Sequence, residues 1–303
     1  MNRFFRWYRN HKVIFLIGVL ATILGILLIK TYIKEEREII NEDDVQEYIS
    51  YNESTVKSTE SAITYKEVES NVLETANKTI DKFITLLNEN NYVEAYNLLS
   101  KDCKSELYPD IDDFKVNYYD ENFKTYKSYT MQNWFNNTYK IEYRESLLDN
   151  GGIKTESFIR DYITVVLEKN EYKLNINNFI GIEEINKKIE NQGVEIEIIN
   201  KSVYMNYEIY KISVKNNLSQ KINLCNLQEI DNIYLLDDKN IRYYAYLNEL
   251  TEAEIQIPGK IKTNLNIKFI TNYTEGKRIQ KIIFQKIFLQ SEENYIKIVC
   301  DII

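Results

Sequence analysis

The side chains that carry most enzymatic chemistry are scarce in this sequence. It has one histidine, His11, and three cysteines, Cys103, Cys225 and Cys300, with no C-x-x-C pair. A Ser–His or Cys–His nucleophile needs an imidazole as its base, and a structural zinc site needs closely spaced Cys or His. P-loop, G-x-G-x-x-G, H-E-x-x-H and G-x-S-x-G patterns are missing as well. Tyr and carboxylate chemistry remains: with 25 Tyr and 46 Asp+Glu, a Tyr–acid pair could polarise a carbonyl and move a proton. No particular pair stands out in the sequence. The expectation is therefore a protein that is not an enzyme, with no catalytic residue, no cofactor and no metal.

Aromatic side chains are the other group that could act. Tyr118, Tyr119, Tyr126, Tyr129, Trp134, Phe135 and Tyr139 crowd one stretch. Of these, Tyr126, Tyr129, Trp134, Phe135 and Tyr139 are the candidate ligand or partner contacts, because aromatic anchors dominate binding hot spots. The competing reading is that they fill a curved sheet, since half-buried strands favour Tyr in any case.

Periodicity indicates the elements that would hold these residues. Asn71 with Glu74 resembles a helix-capping pair, and Val72, Leu73, Ala76, Ile80, Phe83, Ile84 and Leu87 follow at helical spacing. Asn91 with Glu94 offers a second start, followed by Tyr92, Val93, Tyr96, Leu98 and Leu99. A third short helix fits Asp110–Tyr119. The period then changes to two. Tyr139, Ile141 and Tyr143 alternate with charged residues, Asn150-Gly151-Gly152 reads as a hairpin turn, and Ile163, Val165 and Leu167 continue beyond it. A turn at Lys169-Asn170-Glu171 leads to Tyr172, Leu174 and Ile176. Helices followed by an antiparallel sheet predict an α+β layer over 71–181, with the helices on the concave face. After a short connector, 182–192, residues 193–303 carry almost only strand signals: Val194, Ile196 and Ile198; Tyr210, Ile212 and Val214; Leu265, Ile267 and Phe269. That pattern predicts an all-β sandwich. Cys300 shares a face with Ile296, Ile298 and Ile302 and is expected in its core.

Charge and hydropathy organise the N-terminal part. Arg3, Arg6, Arg9 and Lys12 make residues 1–12 a basic tail, and residues 13–29 carry no charge. A span over 13–33 would be about 31 Å long, the thickness of a bilayer's hydrocarbon core. No polar face interrupts it, and no small-residue cleavage site follows. These features predict an uncleaved signal anchor, with the N-terminus cytoplasmic and residues from about 34 outside the cell membrane. Gly18, Thr22, Ala21 and Gly25 would offer a small-residue seam for pairing into a homo-oligomer. Residues 34–70 hold eleven acids and four bases and read as an acidic stalk. The overall charge of −8 argues against nucleic acid as a partner.

Two stretches resemble known families. KTIDKFITLLNENNYVEAYNLLSKDCKSEL, residues 78–107, is similar to the opening of nuclear transport factor 2-like (cystatin-like cone) domains on bacterial surface proteins. The resemblance covers about 71–181. It implies a cone with a pocket between helices and sheet, used for ligand binding, occasional catalysis or assembly. YEIYKISVKNNLSQKINL with IPGKIKTNLNIKF, within 207–269, resembles immunoglobulin-like domains of Gram-positive surface proteins, without the Cys…Trp…Cys signature. The combined expectation is an N-terminal transmembrane helix, an α+β cone and an all-β immunoglobulin-like sandwich. Such a chain would be a membrane-anchored binding or scaffold protein of the bacterial envelope, with an unidentified protein or envelope ligand as partner. The alternatives are a structural subunit of a conjugation or secretion complex, an envelope sensor acting through the basic tail, and an enzyme using a Tyr–acid pair in the cone pocket.

Overall fold

Leu73, Ala76, Ile80, Phe83, Ile84 and Leu87 form a buried stripe along one helix, and a four-stranded sheet closes over that stripe. In the computed structural model, which describes residues 70–145, 158–274, 276–289 and 293–303, this helix is α1 (Ser70–Asn88). Short helices follow: α2 (Tyr92–Asn97), α3 (Lys101–Leu107), α4 (Ile111–Phe114), a π-helical turn (Lys115–Tyr119) and α5 (Asp120–Asn122). Asn91, Ser100 and Asp110 cap α2, α3 and α4 by accepting the N–H of the residue three positions on, the usual way to satisfy a helix's first donors. The cap at Asn91 is the one the sequence predicts, and Asp110 opens the helix expected from that residue. Helix α3 is not among the expected elements, because the residue three after Ser100 is Cys103 and not the Glu or Gln of a capping box.

The meander runs β1 (Lys127–Phe135), β2 (Thr138–Glu145), β3 (Phe158–Glu168) and β4 (Glu171–Asn175), each antiparallel to the last. Tyr139, Ile141, Tyr143, Ile163, Val165 and Leu174 face the helices and are buried, as alternation predicts, whereas Leu167 and Tyr172 emerge at the sheet's end. The β3–β4 turn places Lys169 and Asn170 at positive φ, and the chain at Leu99 bridges Leu174 in parallel along the β4 edge.

Residues 182–192, expected as a connector, are most of a strand, β5 (Phe179–Asn191). Ile182, Ile185 and Ile189 are spaced three and four apart, which hides the alternation. A bulge between Glu184 and Lys187, with Asn186 at φ 54°, inserts the extra residue. Strand β5 is at once the end of one core and the start of the other: Phe179 lies in the helix-and-meander core, while Ile185 and Ile189 pack on the second.

That second core lies between two sheets. One has the order β12–β7–β6–β5, with β6 (Val194–Tyr204), β7 (Tyr207–Asn216) and β12 (Lys262–Ile270). The other is ordered β10–β9–β13–β8–β11, with β14 on β13. Its strands are β8 (Ile222–Asn223), β9 (Ile233–Asp237), β10 (Arg242–Tyr244), β11 (Gln256–Ile257), β13 (Ile279–Phe288) and β14 (Tyr295–Asp301). A 3-10 turn (Leu247–Glu249) and α6 (Glu252–Ile255) precede β11. All nine apolar positions expected to face inward from β6, β7 and β12 are buried, and so are the three cysteines, which are unpaired. Gly259 has no substitute, because a Cβ there would meet the Ser219 carbonyl oxygen at 2.3 Å.

All described residues belong to one compact unit, Asn52–Ile303. No helix among them is long and apolar enough to cross a membrane. The basic tail, the 13–33 span with its seam, the stalk up to residue 69 and the Asn150-Gly151-Gly152 turn lie outside the described residues.

Candidate functional site

The five aromatic candidates do not converge. Tyr126, just before β1, is 42% exposed. Tyr129 is half-buried against the helices and donates its hydroxyl to Asp81 Oδ1 of α1 at 2.7 Å. Trp134, at a bulge in β1, is half-buried on the opposite face of the sheet, 5.6 Å from the Tyr162 ring, with Lys140 Nζ at 5.4 Å from its centroid. Phe135 and Tyr139 are buried, Phe135 stacked on Tyr273 at 4.5 Å. Strand alternation divides the set: Tyr129 and Tyr139 face one way and Trp134 the other. Only Tyr126, Tyr129 and Trp134 retain surface that a partner could touch.

A different constellation lies under the helices. The π-helical turn widens the backbone at Lys115–Tyr119 and brings Tyr118 inward, its ring stacked on Phe114 at 5.5 Å. π-turns of this kind are rare and often mark sites. Tyr118 Oη donates to Asp161 Oδ2 at 3.1 Å and lies 3.4 Å from Tyr143 Oη. Asp161 points inward from β3, level with Ile141 of β2. It also accepts the backbone N–H groups of Asn177 (3.2 Å, Oδ2) and Asn178 (3.0 Å, Oδ1). These two residues form the β4–β5 turn at φ 57° and 63°, conformations that Asn tolerates better than most residues. Asn177 Nδ2 in turn donates to Tyr108 Oη at 3.3 Å.

Burial pushes the Asp161 carboxyl up to about 6, against the pull of its N–H and hydroxyl donors, because a charge is costly away from water. Burial likewise pushes the Tyr118 and Tyr143 phenols well above their ordinary value, and the Cys103 thiol up to about 12. Chemically, the cluster can hold or release a proton. Every donor aimed at the carboxylate is already engaged by it, and the rings of Phe83, Phe114, Tyr108 and Phe123 pack round Tyr118. The sequence held one sign of this site. Stepping back by two from Ile163 and Val165 puts Asp161 on the buried face, where an acid is rare unless partnered.

A second buried acid lies in the two-sheet half. Glu208 of β7 pairs with Lys277 at 2.9 Å, accepts the Tyr210 hydroxyl at 2.9 Å and has Lys201 Nζ at 3.7 Å. Lys277 also donates to Thr271 Oγ1 and to the Asn272 carbonyl, which ties the β12–β13 loop to the sheet.

The fold and these clusters define a β-rich protein of antiparallel sheets with few helices. No protein-family profile matches the chain, and no curated protein matches it. Among solved structures it is similar to a conserved hypothetical protein from Bacillus anthracis, at 10% identity over 39% of this chain and 89% of that one, with a TM-score of 0.27.

Proposed function

We infer that the chain is a single-pass, non-enzymatic protein of the bacterial envelope. It presents a nuclear transport factor 2-like cone (from α1 to β4) and an immunoglobulin-like sandwich (β5 to β14) to a protein or envelope ligand. The observation that carries this reading is the stacked Phe114–Tyr118 pair with Phe83 and Tyr108 around it. Those rings occupy the space between helices and sheet where a catalytic cone needs room for substrate. The Tyr–acid pair that catalysis would require is present as Tyr118 and Asp161, and there it serves the fold: the carboxylate holds a turn and the hydroxyl holds the carboxylate. The anchor reading is supported by the uncharged run at 13–29 behind four basic residues.

The test is fractionation combined with protease access. Full-length protein should sediment with membranes, and deletion of residues 1–33 should release it. Protease added outside intact spheroplasts should digest residues 70–303 and spare an N-terminal tag; a C-terminal tag that survives would overturn the topology. For binding, Tyr126→Ala and Trp134→Ala should each weaken retention on isolated envelopes by about 1 kcal/mol or more. Retention equal to wild type in both would remove the meander's aromatic residues from the interface.

A further inference from the structure

The β4–β5 turn is where the two halves meet, and its hydrogen bonds run to both. The Asn178 N–H is held by Asp161 Oδ1 on the meander, and the Asn178 carbonyl accepts Met205 N of the two-sheet half at 3.0 Å. The Met205 carbonyl accepts Tyr273 N at 2.8 Å, and the Tyr273 ring stacks on Phe135 back at the meander. Asp161 thus lies at the root of the joint.

The titratable groups facing this carboxyl are Tyr118 from the π-turn, Tyr143 from β2, Cys103 from α3 and Tyr108 from the end of α3. Burial pushes all four upward, so they stay neutral where Asp161 changes charge. Hydroxyl hydrogens rotate, and the Tyr118–Tyr143 pair can be bonded in either direction. With Asp161 ionised, Tyr118 donates to it. With Asp161 protonated by a proton from solvent, the carboxyl O–H donates to Tyr118 Oη, and Tyr118 turns its own hydrogen towards Tyr143 Oη. Both states keep the chain of bonds, and no backbone has to move.

We propose that Asp161, Tyr118 and Tyr143 form a buried proton-binding site whose occupation on mild acidification stabilises the fold at the joint between its two halves. The sign follows from linkage. The folded carboxyl lies at about 6 and an unfolded Asp at about 3.9, so between these values the folded state holds a proton that the unfolded state does not. The stabilisation is fully present below the unfolded value and is lost as the pH rises through the folded one. From pH 7 to pH 5 it amounts to about tenfold in the folding equilibrium constant. His11 is the single histidine of the chain, so imidazole protonation adds little to the pH response in that interval.

The experiment uses the full-length protein in a neutral detergent. Infrared difference spectra between pH 7.5 and pH 5 should show, beside the absorption of the other acids, a protonated-carboxyl component with a midpoint at about 6 that Asp161→Asn removes. Urea unfolding should show wild type gaining about tenfold in folding constant relative to Asp161→Asn between pH 7 and pH 5. Tyr118→Phe deletes a donor that favours the charged form, so it should move the band's midpoint to higher pH; a purely structural role would destabilise equally at both pH values and leave the midpoint in place. Carboxyl absorption equal in wild type and Asp161→Asn across this range overturns the proposal, as does an unmoved midpoint in Tyr118→Phe. If Asp161→Asn does not fold, the Tyr118→Phe midpoint decides alone.

Discussion

Asp161 in the helix-and-meander half is 5% exposed and Glu208 in the two-sheet half is 2% exposed, yet the two acids keep different company. Asp161 is held by backbone N–H groups and a tyrosine hydroxyl, all neutral. Glu208 faces the ammonium groups of Lys277 and Lys201 as well as the Tyr210 hydroxyl. A buried carboxylate must have partners that offset its lost hydration. Neutral donors do this only in part, which leaves a group that a modest change of pH can discharge. A cation within 3 Å converts the same problem into an ion pair, whose cost appears when one member is removed. The first arrangement suits a responsive joint, the second a fixed loop.

The largest effect is expected from breaking the pair. Lys277→Met leaves Glu208 buried beside a thioether, and loss of one partner of a buried pair costs about 3–5 kcal/mol. Urea or thermal unfolding at neutral pH checks this, and a double variant that also changes Glu208→Gln should recover much of the loss. A single-variant loss below about 1 kcal/mol would mean that Lys201, 3.7 Å away, or water compensates Glu208, and the pair with Lys277 would not be what sets it apart from Asp161. Next in size is Phe135→Ala, which removes a ring stacked on Tyr273 and should cost about 3 kcal/mol. Because that stack ties the β1–β2 hairpin to the β12–β13 loop, unfolding should remain one transition in wild type and broaden or split in the variant. A sharp single transition shifted only slightly would show that the halves are coupled chiefly through contacts other than this stack.

Much of this architecture was legible in the sequence, and the failures have identifiable causes. Capping at Asn91, the helix start at Asp110, the buried stripe of α1 and the inward positions of β6, β7 and β12 all follow from side-chain type and period. Ser100 was missed because a cap needs only its own oxygen, whereas the recognisable pattern needs a Glu or Gln three residues on. Strand β5 was hidden by one bulged residue at Asn186, which turned a period of two into spacings of three and four. Phe135 and Tyr139 were read as candidate contacts because aromatic type reports hydrophobic payload and says nothing of which face is covered. The Asp161 cluster depends on a π-turn, a left-handed turn and two strands meeting in space. No local pattern brings Tyr118 and Asp161 together; only the inward register of β3 hinted that an acid was buried.

The smallest predicted effect separates the joint's backbone from its side chains. Asn178 sits at φ 63°, where most L-residues pay about 1–2 kcal/mol and Asn pays less. Asn178→Ala should therefore cost about 1 kcal/mol, while Asn178→Gly, free of a Cβ, should cost little. Asp161 accepts the backbone N–H of residue 178, which neither substitution removes. Both variants should thus retain the full gain in stability on acidification, measured as the shift in urea midpoint between pH 7 and pH 5. If Asn178→Ala lowered stability equally at both pH values, the strain and the proton site would be independent features of one turn. If it abolished the pH response, the proton site would require the turn's exact backbone path, and the joint's resemblance to the rigid Glu208–Lys277 tie would be closer than their chemistry implies.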